Sequence, residues 1–186
     1  MTSIVDPEVA LLAALSSTLE KDYVDTVPSP WRGSPFEWIQ TRPSRQKGAI
    51  GEALVAGWAA AKGFDVARTG DSDADRLIAG MRIEIKYSNL WSDIGSYKFQ
   101  QIRDQRYEYC FCLGLSPFEA HAWFIPKPVL MGELKQGLSP QHGGQEGHDT
   151  RWLSFLAEHP PAWLEPYGGT LTQVATLIAN CATIDV

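Results

Sequence analysis

Apolar and polar residues alternate through RIEIKY (82–87), and DRLIA (75–79) carries a short apolar run before it, with Gly80 between the two. A period of two predicts strands, and the glycine marks a tight turn between them. FDVA (64–67) predicts a further short strand just upstream. Before it, QKGAIGEALVAGWAAAKG (46–63) is alanine-rich and predicts a helix ending at Gly63. After it, SYKFQQIRDQR (96–106) reads as a helix. YEYCFCLGLS (107–116) and EAHAWFIP (119–126) read as a strand pair joined at Ser116-Pro117. KPVLMGELKQ (127–136) predicts a short helix, and TLTQVATLIANC (170–181) a closing one. At the other end, DPEVALLAALSSTLEKDYV (6–24) has amphipathic spacing, with Asp6 placed to cap and Pro7 at the first helical position. Residues 25–45 hold four prolines and one glycine and predict a loop. Residues 137–150 are glycine-rich and irregular, and the aromatic-rich stretch 150–169 follows neither period. Helix, strands, helix, strands in that order imply an α/β fold: a mixed central β-sheet flanked by helices, in a single domain.

Strand parity then gathers charges. Glu84 and Lys86 share one face of their strand, while Ile83 and Ile85 take the other and face the core. A two-residue turn at Ala79-Gly80 or Gly80-Met81 places Asp75 opposite Glu84 or Lys86, on the same face. A three-residue loop would pair Asp75 with Ile85 and turn it away. Asp71, Asp73 and Asp75 alternate, so Asp73 is a rival one strand step further from the turn. Two carboxylates aimed at one point repel unless a proton or cation lies between them. Oxygen ligands of this kind suit Mg²⁺, which takes one or two carboxylates and completes its shell with water and phosphate. A lysine alongside can orient or deprotonate an attacking water. The chemistry indicated is metal-dependent phosphodiester hydrolysis.

Composition narrows this only slightly. The chain has 186 residues, 44% hydrophobic and 20% charged, enough apolar material for a true core. No apolar run approaches the length of a membrane span, no secretory leader is recognisable, and three cysteines make no paired framework. A reduced, cytoplasmic setting is expected. Cys110 and Cys112 alternate on a strand and read as core thiols, while His142 and His148 lack the cysteine pair of a zinc finger. The net charge of −6 weighs against a nucleic-acid partner, but basic residues cluster locally. Arg42, Arg45 and Lys47 lead into the helix of residues 46–63, and Lys98, Gln101, Arg103 and Arg106 follow the charged strand.

Asp75, then Glu84-Ile85-Lys86 on an apolar strand, after a helix carrying Glu52, resembles the PD-(D/E)xK nuclease superfamily, which includes many type II restriction endonucleases. The likeness spans roughly residues 46–126, leaving 1–45 and 127–186 as additions. Ala74 stands where that superfamily loosely keeps proline. The resemblance implies double-stranded DNA as substrate and Mg²⁺ as cofactor, with Mn²⁺ as a substitute. It implies Asp75, Glu84 and the Ile85 carbonyl as metal ligands, Lys86 as the water-positioning group and Glu52 as an auxiliary acid, although Glu52 reads equally as a solvated helix residue. Gln101, Arg103, Lys98 and Arg106, in a polar helix beside the active strand, would contact DNA together with Arg45 and Lys47. A homodimer would place one site on each strand of a palindrome. The alternatives are a structure-selective repair, recombination or phage nuclease of the same fold, and a catalytically silent binding module.

Overall fold

The computed structural model describes residues 30–70, 72–91, 94–137 and 151–183. The helix expected over 6–24, Asp71, and His142 and His148 lie outside the described residues. Chain order runs α1 (Glu37–Gln40), α2 (Ser44–Ala61), β1 (Val66–Arg68), β2 (Arg76–Ile78), β3 (Met81–Asn89), β4 (Ser96–Ile102), β5 (Tyr109–Leu115), β6 (Ala120–Pro126), α3 (Lys127–Gly137), β7 (Arg151–Leu156), a 3₁₀ turn (Ala162–Tyr167) and α4 (Leu171–Ala182). The short α1 falls within the segment expected to be a loop. Helix α2 stops where the sequence predicts: Gly63 takes a positive φ of 88°, and its N–H closes on the Ala60 carbonyl at 2.9 Å. Thr170 caps α4 through a reciprocal pair of bonds with Gln173, a capping box.

Five strands form one mixed sheet in the order β1-β2-β3-β5-β6. The β1-β2-β3 meander is antiparallel, β3 and β5 run parallel, and β5-β6 is antiparallel again. Each face of this sheet is covered. On one side Ile83 and Ile85 of β3 and Phe111 and Leu113 of β5 meet Val55 and Ala59 of α2 and Val174 and Ile178 of α4, all buried. On the other, Cys110 and Cys112 of β5 and Trp123 and Ile125 of β6 meet Tyr97 and Phe99 of β4, Leu130 of α3 and Leu153 and Phe155 of β7. The two thiols are fully buried with their Sγ atoms 3.8 Å apart, as expected for core cysteines. Gly114 has no side chain because the Tyr97 ring occupies that space: a Cβ there would lie 2.7 Å from it.

Residues 96–106 depart from expectation. They form no helix: Ser96–Ile102 is strand β4, paired antiparallel with β7 in a second, two-stranded sheet. The physical reason is the alternation of Tyr97 and Phe99, both fully buried against the five-stranded sheet, with the partly exposed Lys98 between them and Gln100 after them. The alternation breaks at Gln101, where β4 carries Gln100 and Gln101 against the single residue Trp152 of β7, a β-bulge. The segment 150–169, which follows neither period, supplies β7 and the 3₁₀ turn.

Candidate active site

The β2–β3 hairpin sets the geometry. Ile78 pairs with Met81, so the turn is the two residues Ala79-Gly80, with φ of 50° and 82°. Two consecutive positive φ values are those of a type I′ turn, whose twist matches the flanking strands. The even loop keeps Arg76 opposite Ile83, and the Asp75 N–H donates to the Ile83 carbonyl at 2.9 Å. Asp75 itself lies just before the first paired residue of β2, with its N–H turned toward β3. Its carboxylate turns back across the vacated edge and accepts the Ile85 N–H at 2.7 Å. The Ile85 carbonyl faces the same edge, because Ile83 and Ile85 share their backbone direction along β3.

Glu84 is buried at 6% exposure, because the face it shares with Lys86 is roofed by the second core rather than open to solvent. Lys86 Nζ lies 2.6 Å from Glu84 Oε1. Burial raises the Glu84 carboxyl above its ordinary value against the pull of Lys86, with Asp75 and Glu52 adding repulsion. Burial alone would lower Lys86, but the charge and hydrogen bond of Glu84 reverse that, so its ammonium is held more firmly than usual. Glu52 is raised too, first by burial and then by Asp75. It reaches the site from α2 and lies 3.6 Å from Arg76 Nη2.

Glu52, Asp75, Ile85 and Lys86 line one cleft of about 600 Å³ together with Arg45, Gln100 and Gln101. A neighbouring cleft of about 550 Å³ shares Ser44, Gly48, Tyr87 and Gln100 with it and adds Lys47, Trp91 and Lys98. The two make a continuous trough along α2, the end of β3 and the bulge of β4. The Lys98 N–H donates to Ser88 Oγ at 2.9 Å and pins β4 across β3, which brings the glutamines to the carboxylates.

Of the residues predicted from sequence, the structure sets Asp75, Lys86, Glu52, Arg45 and Gln101 on one cleft, while Glu84 lies buried behind it against Lys86. Asp73, the rival, does not join them: its carboxylate is 2.5 Å from Arg106 Nε. Arg106 is thereby held away from the cleft, and Arg103 is exposed beyond the end of β4. Lys98 Nζ sits over the Trp91 ring, 3.8 Å from its centroid, and Lys47 lines the neighbouring cleft. The expected polar helix is replaced by the β4 bulge, so Gln101 arrives on a strand. Sequence reasoning missed Arg76 and Gln100. Hairpin parity could have found Arg76: opposite Ile83 it points to the helix face, toward Glu52.

Among the described residues, no three Asp, Glu, His or Cys side chains are gathered closely enough to hold an ion unaided. The donor set nonetheless fits Mg²⁺, whose shell needs only one or two carboxylates with water and phosphate. Burial raises the carboxyls of Glu52 and Glu84 first, and the neighbouring Asp75 carboxylate adds to it, a repulsion that a bound cation would relieve.

The five-stranded mixed sheet with its flanking helices matches the fold of a solved endonuclease. No family model matches the chain, and no curated protein matches it in sequence. Among solved structures it is similar to a bacterial homing endonuclease, I-Ssp6803I, at 13% identity and a TM-score of 0.51, over 77% of this chain and 96% of that one. Among the described residues no helix is long and apolar enough to cross a membrane.

Proposed function

We propose that the chain is a divalent-metal-dependent endonuclease that hydrolyses phosphodiester bonds of double-stranded DNA at particular sequences, in the manner of a type II restriction enzyme and as a homodimer. The observation that carries this reading is the hairpin register. An even turn brings Asp75 to β3, where its carboxylate accepts the Ile85 N–H between Glu84 and Lys86, and Lys86 lies on Glu84 within hydrogen-bond distance. Asp75, Glu84 and the Ile85 carbonyl would hold Mg²⁺, or Mn²⁺ in its place. When bound, the ion would polarise the phosphoryl oxygen and stabilise the leaving oxyanion.

The chain's own groups have separate tasks. Lys86, held protonated by Glu84, donates rather than accepts, so it orients a water by its lone pair and offsets charge that develops on the phosphate. Asp75, fixed by the Ile85 N–H, keeps its carboxylate from rotating away from the cleft. Glu52, at the cleft wall, is an auxiliary acid restrained by Arg76. Arg45 and Lys47 bind backbone phosphates along the trough and provide the local positive charge that the acidic chain otherwise lacks.

The test is plasmid and genomic DNA incubated with Mg²⁺ and the wild-type, Lys86→Ala and Glu84→Ala proteins. Wild type is expected to give a discrete fragment pattern. Each variant is expected to lose cleavage, with DNA binding retained by Lys86→Ala. Cutting by either variant at the wild-type rate would refute the assignment.

A further inference from the structure

Gln101 has a φ of 56° in a strand otherwise extended, and it is one of two non-glycine residues with positive φ in the described chain. The other, Ala79, belongs to a hairpin turn that demands this conformation. A non-glycine residue in the left-handed region is strained, and glycine would occupy the same position without that cost. The position is therefore one where a side chain is kept against a backbone preference.

The bulge explains what the side chain is kept for. In an unbroken β4, residues 97, 99 and 101 would face the core, and Ile102 would face the cleft. The additional residue between Phe99 and Ile102 resets that parity. Ile102 becomes fully buried, while the adjacent residues Gln100 and Gln101 both reach the wall of the cleft that holds Asp75 and Lys86. A regular strand cannot present two successive side chains to one side. The bulge does so with two primary amides, each carrying a donor and an acceptor in one plane.

We infer that the Gln100–Gln101 bulge is the sequence-reading element of the cleft, and that it recognises the adenine edge of an A·T pair next to the scissile phosphate. Glutamine matches adenine N6 and N7 with two hydrogen bonds in the major groove, a pattern no other base presents there. Because the amides share one cleft of about 600 Å³ with the carboxylates, the span between reader and cut is on the order of 10 Å, about three base-pair steps. This inference rests on the endonuclease reading above.

The experiment sequences the ends produced by wild-type, Gln101→Gly and Gln100→Ala proteins acting on bacterial genomic DNA with Mg²⁺, alongside thermal melts of each. Wild-type ends should show an A·T preference within about three base pairs of the cut. Gln101→Gly keeps the backbone shape and should melt no lower than wild type, up to about 4 °C higher. It should nevertheless lose the adenine preference by about 10- to 100-fold, as should Gln100→Ala. A bulge kept for structure alone predicts unaltered preference in Gln101→Gly. If the preference survives both variants, the inference is overturned and the endonuclease reading stands; if wild type cuts without any base preference, the inference and the site-specific part of that reading both fall, and metal-dependent cleavage alone stands. Absence of cleavage by wild type with either Mg²⁺ or Mn²⁺ would overturn both.

Discussion

Replacing Gly51 by alanine tests how closely α2 seats on β3 and what depends on that seat. A Cβ at residue 51 would lie 2.6 Å from Tyr87 Cγ and 2.9 Å from Cδ2, and closer still to Tyr87 Cβ. Ordinary contact begins near 3.4 Å, so the two must separate by about 1 Å. The Tyr87 ring cannot simply swing aside, because the nearest atom is its own Cβ, fixed to the strand. The helix must lift instead, and overpacking of this kind costs about 1–3 kcal/mol. For a chain of this size that is a melting temperature lower by about 3–10 °C. Gly57, on the same helix, is different: a Cβ added there would meet nothing within 4 Å. Gly57→Ala gains only helix propensity, about 1 kcal/mol, and should melt about 2–4 °C higher. Circular dichroism melts of the two variants therefore move in opposite directions for the same chemical change. Gly51 also neighbours Glu52, and Tyr87 follows Lys86. A lift of about 1 Å displaces one wall of the cleft against the other, and cleavage should fall by about 100-fold in Gly51→Ala. A Gly51→Ala protein that melts at or above wild type would refute the packing argument.

Two further outcomes follow from the site. Asp75→Asn should abolish cleavage with little loss of stability, since an amide oxygen can still accept the Ile85 N–H, whereas Asp73→Asn should cut normally because its carboxylate faces Arg106 and does not line the cleft; DNA digestion with both variants decides it, and a dead Asp73→Asn protein would contradict the assignment of Asp75. Glu52 and Glu84 titrate above their ordinary value of 4.5 in the folded chain, so their protonation favours folding: that contribution is complete below about pH 4.5 and is lost as pH rises through the raised folded values. Added Mg²⁺ or Ca²⁺ should recover the loss and raise the melting temperature near neutral pH, with the benefit vanishing in acid and Ca²⁺ supporting binding without cleavage; melting indifferent to divalent ions at neutral pH would remove the chemical basis of the metal reading.

The β2–β3 hairpin was legible because its information is local. Two short strand-like runs at 75–79 and 82–87, with Gly80 between, leave few registers, and the alternation of 82–87 then puts Glu84 and Lys86 on one face. The choice between Asp73 and Asp75 needed the turn length, which Ala79 settles by adopting a conformation more usual for glycine or asparagine. Residues 96–106 were not legible for the opposite reason. Their strand partner, Arg151–Leu156, lies some fifty residues away, and the two-residue period is cut short by the bulge after Phe99. The depth of Glu84 was hidden as well. A strand with isoleucines on one face and charges on the other reads as half-exposed, yet α3, β4 and β7 close over the charged face. Burial there, and not strand pattern, raises its carboxyl.

The late arrival of β7 has a consequence for how the molecule comes into being on the ribosome. All five strands of the main sheet lie within residues 66–126, so they and the Asp75–Lys86 hairpin can pair as soon as that stretch has emerged. Strand β4 has no such neighbour: among the described residues its sheet is completed only by Arg151–Leu156. Until those residues are made, Tyr97 and Phe99 lack part of their cover and β4 presents an open edge, the kind of surface that invites pairing with other chains. The two walls of the cleft are thus separated in time of synthesis. The acidic wall can form first, and the glutamine wall takes its bulged shape only once Arg151–Leu156 has emerged, so both walls of the cleft stand together only from that point.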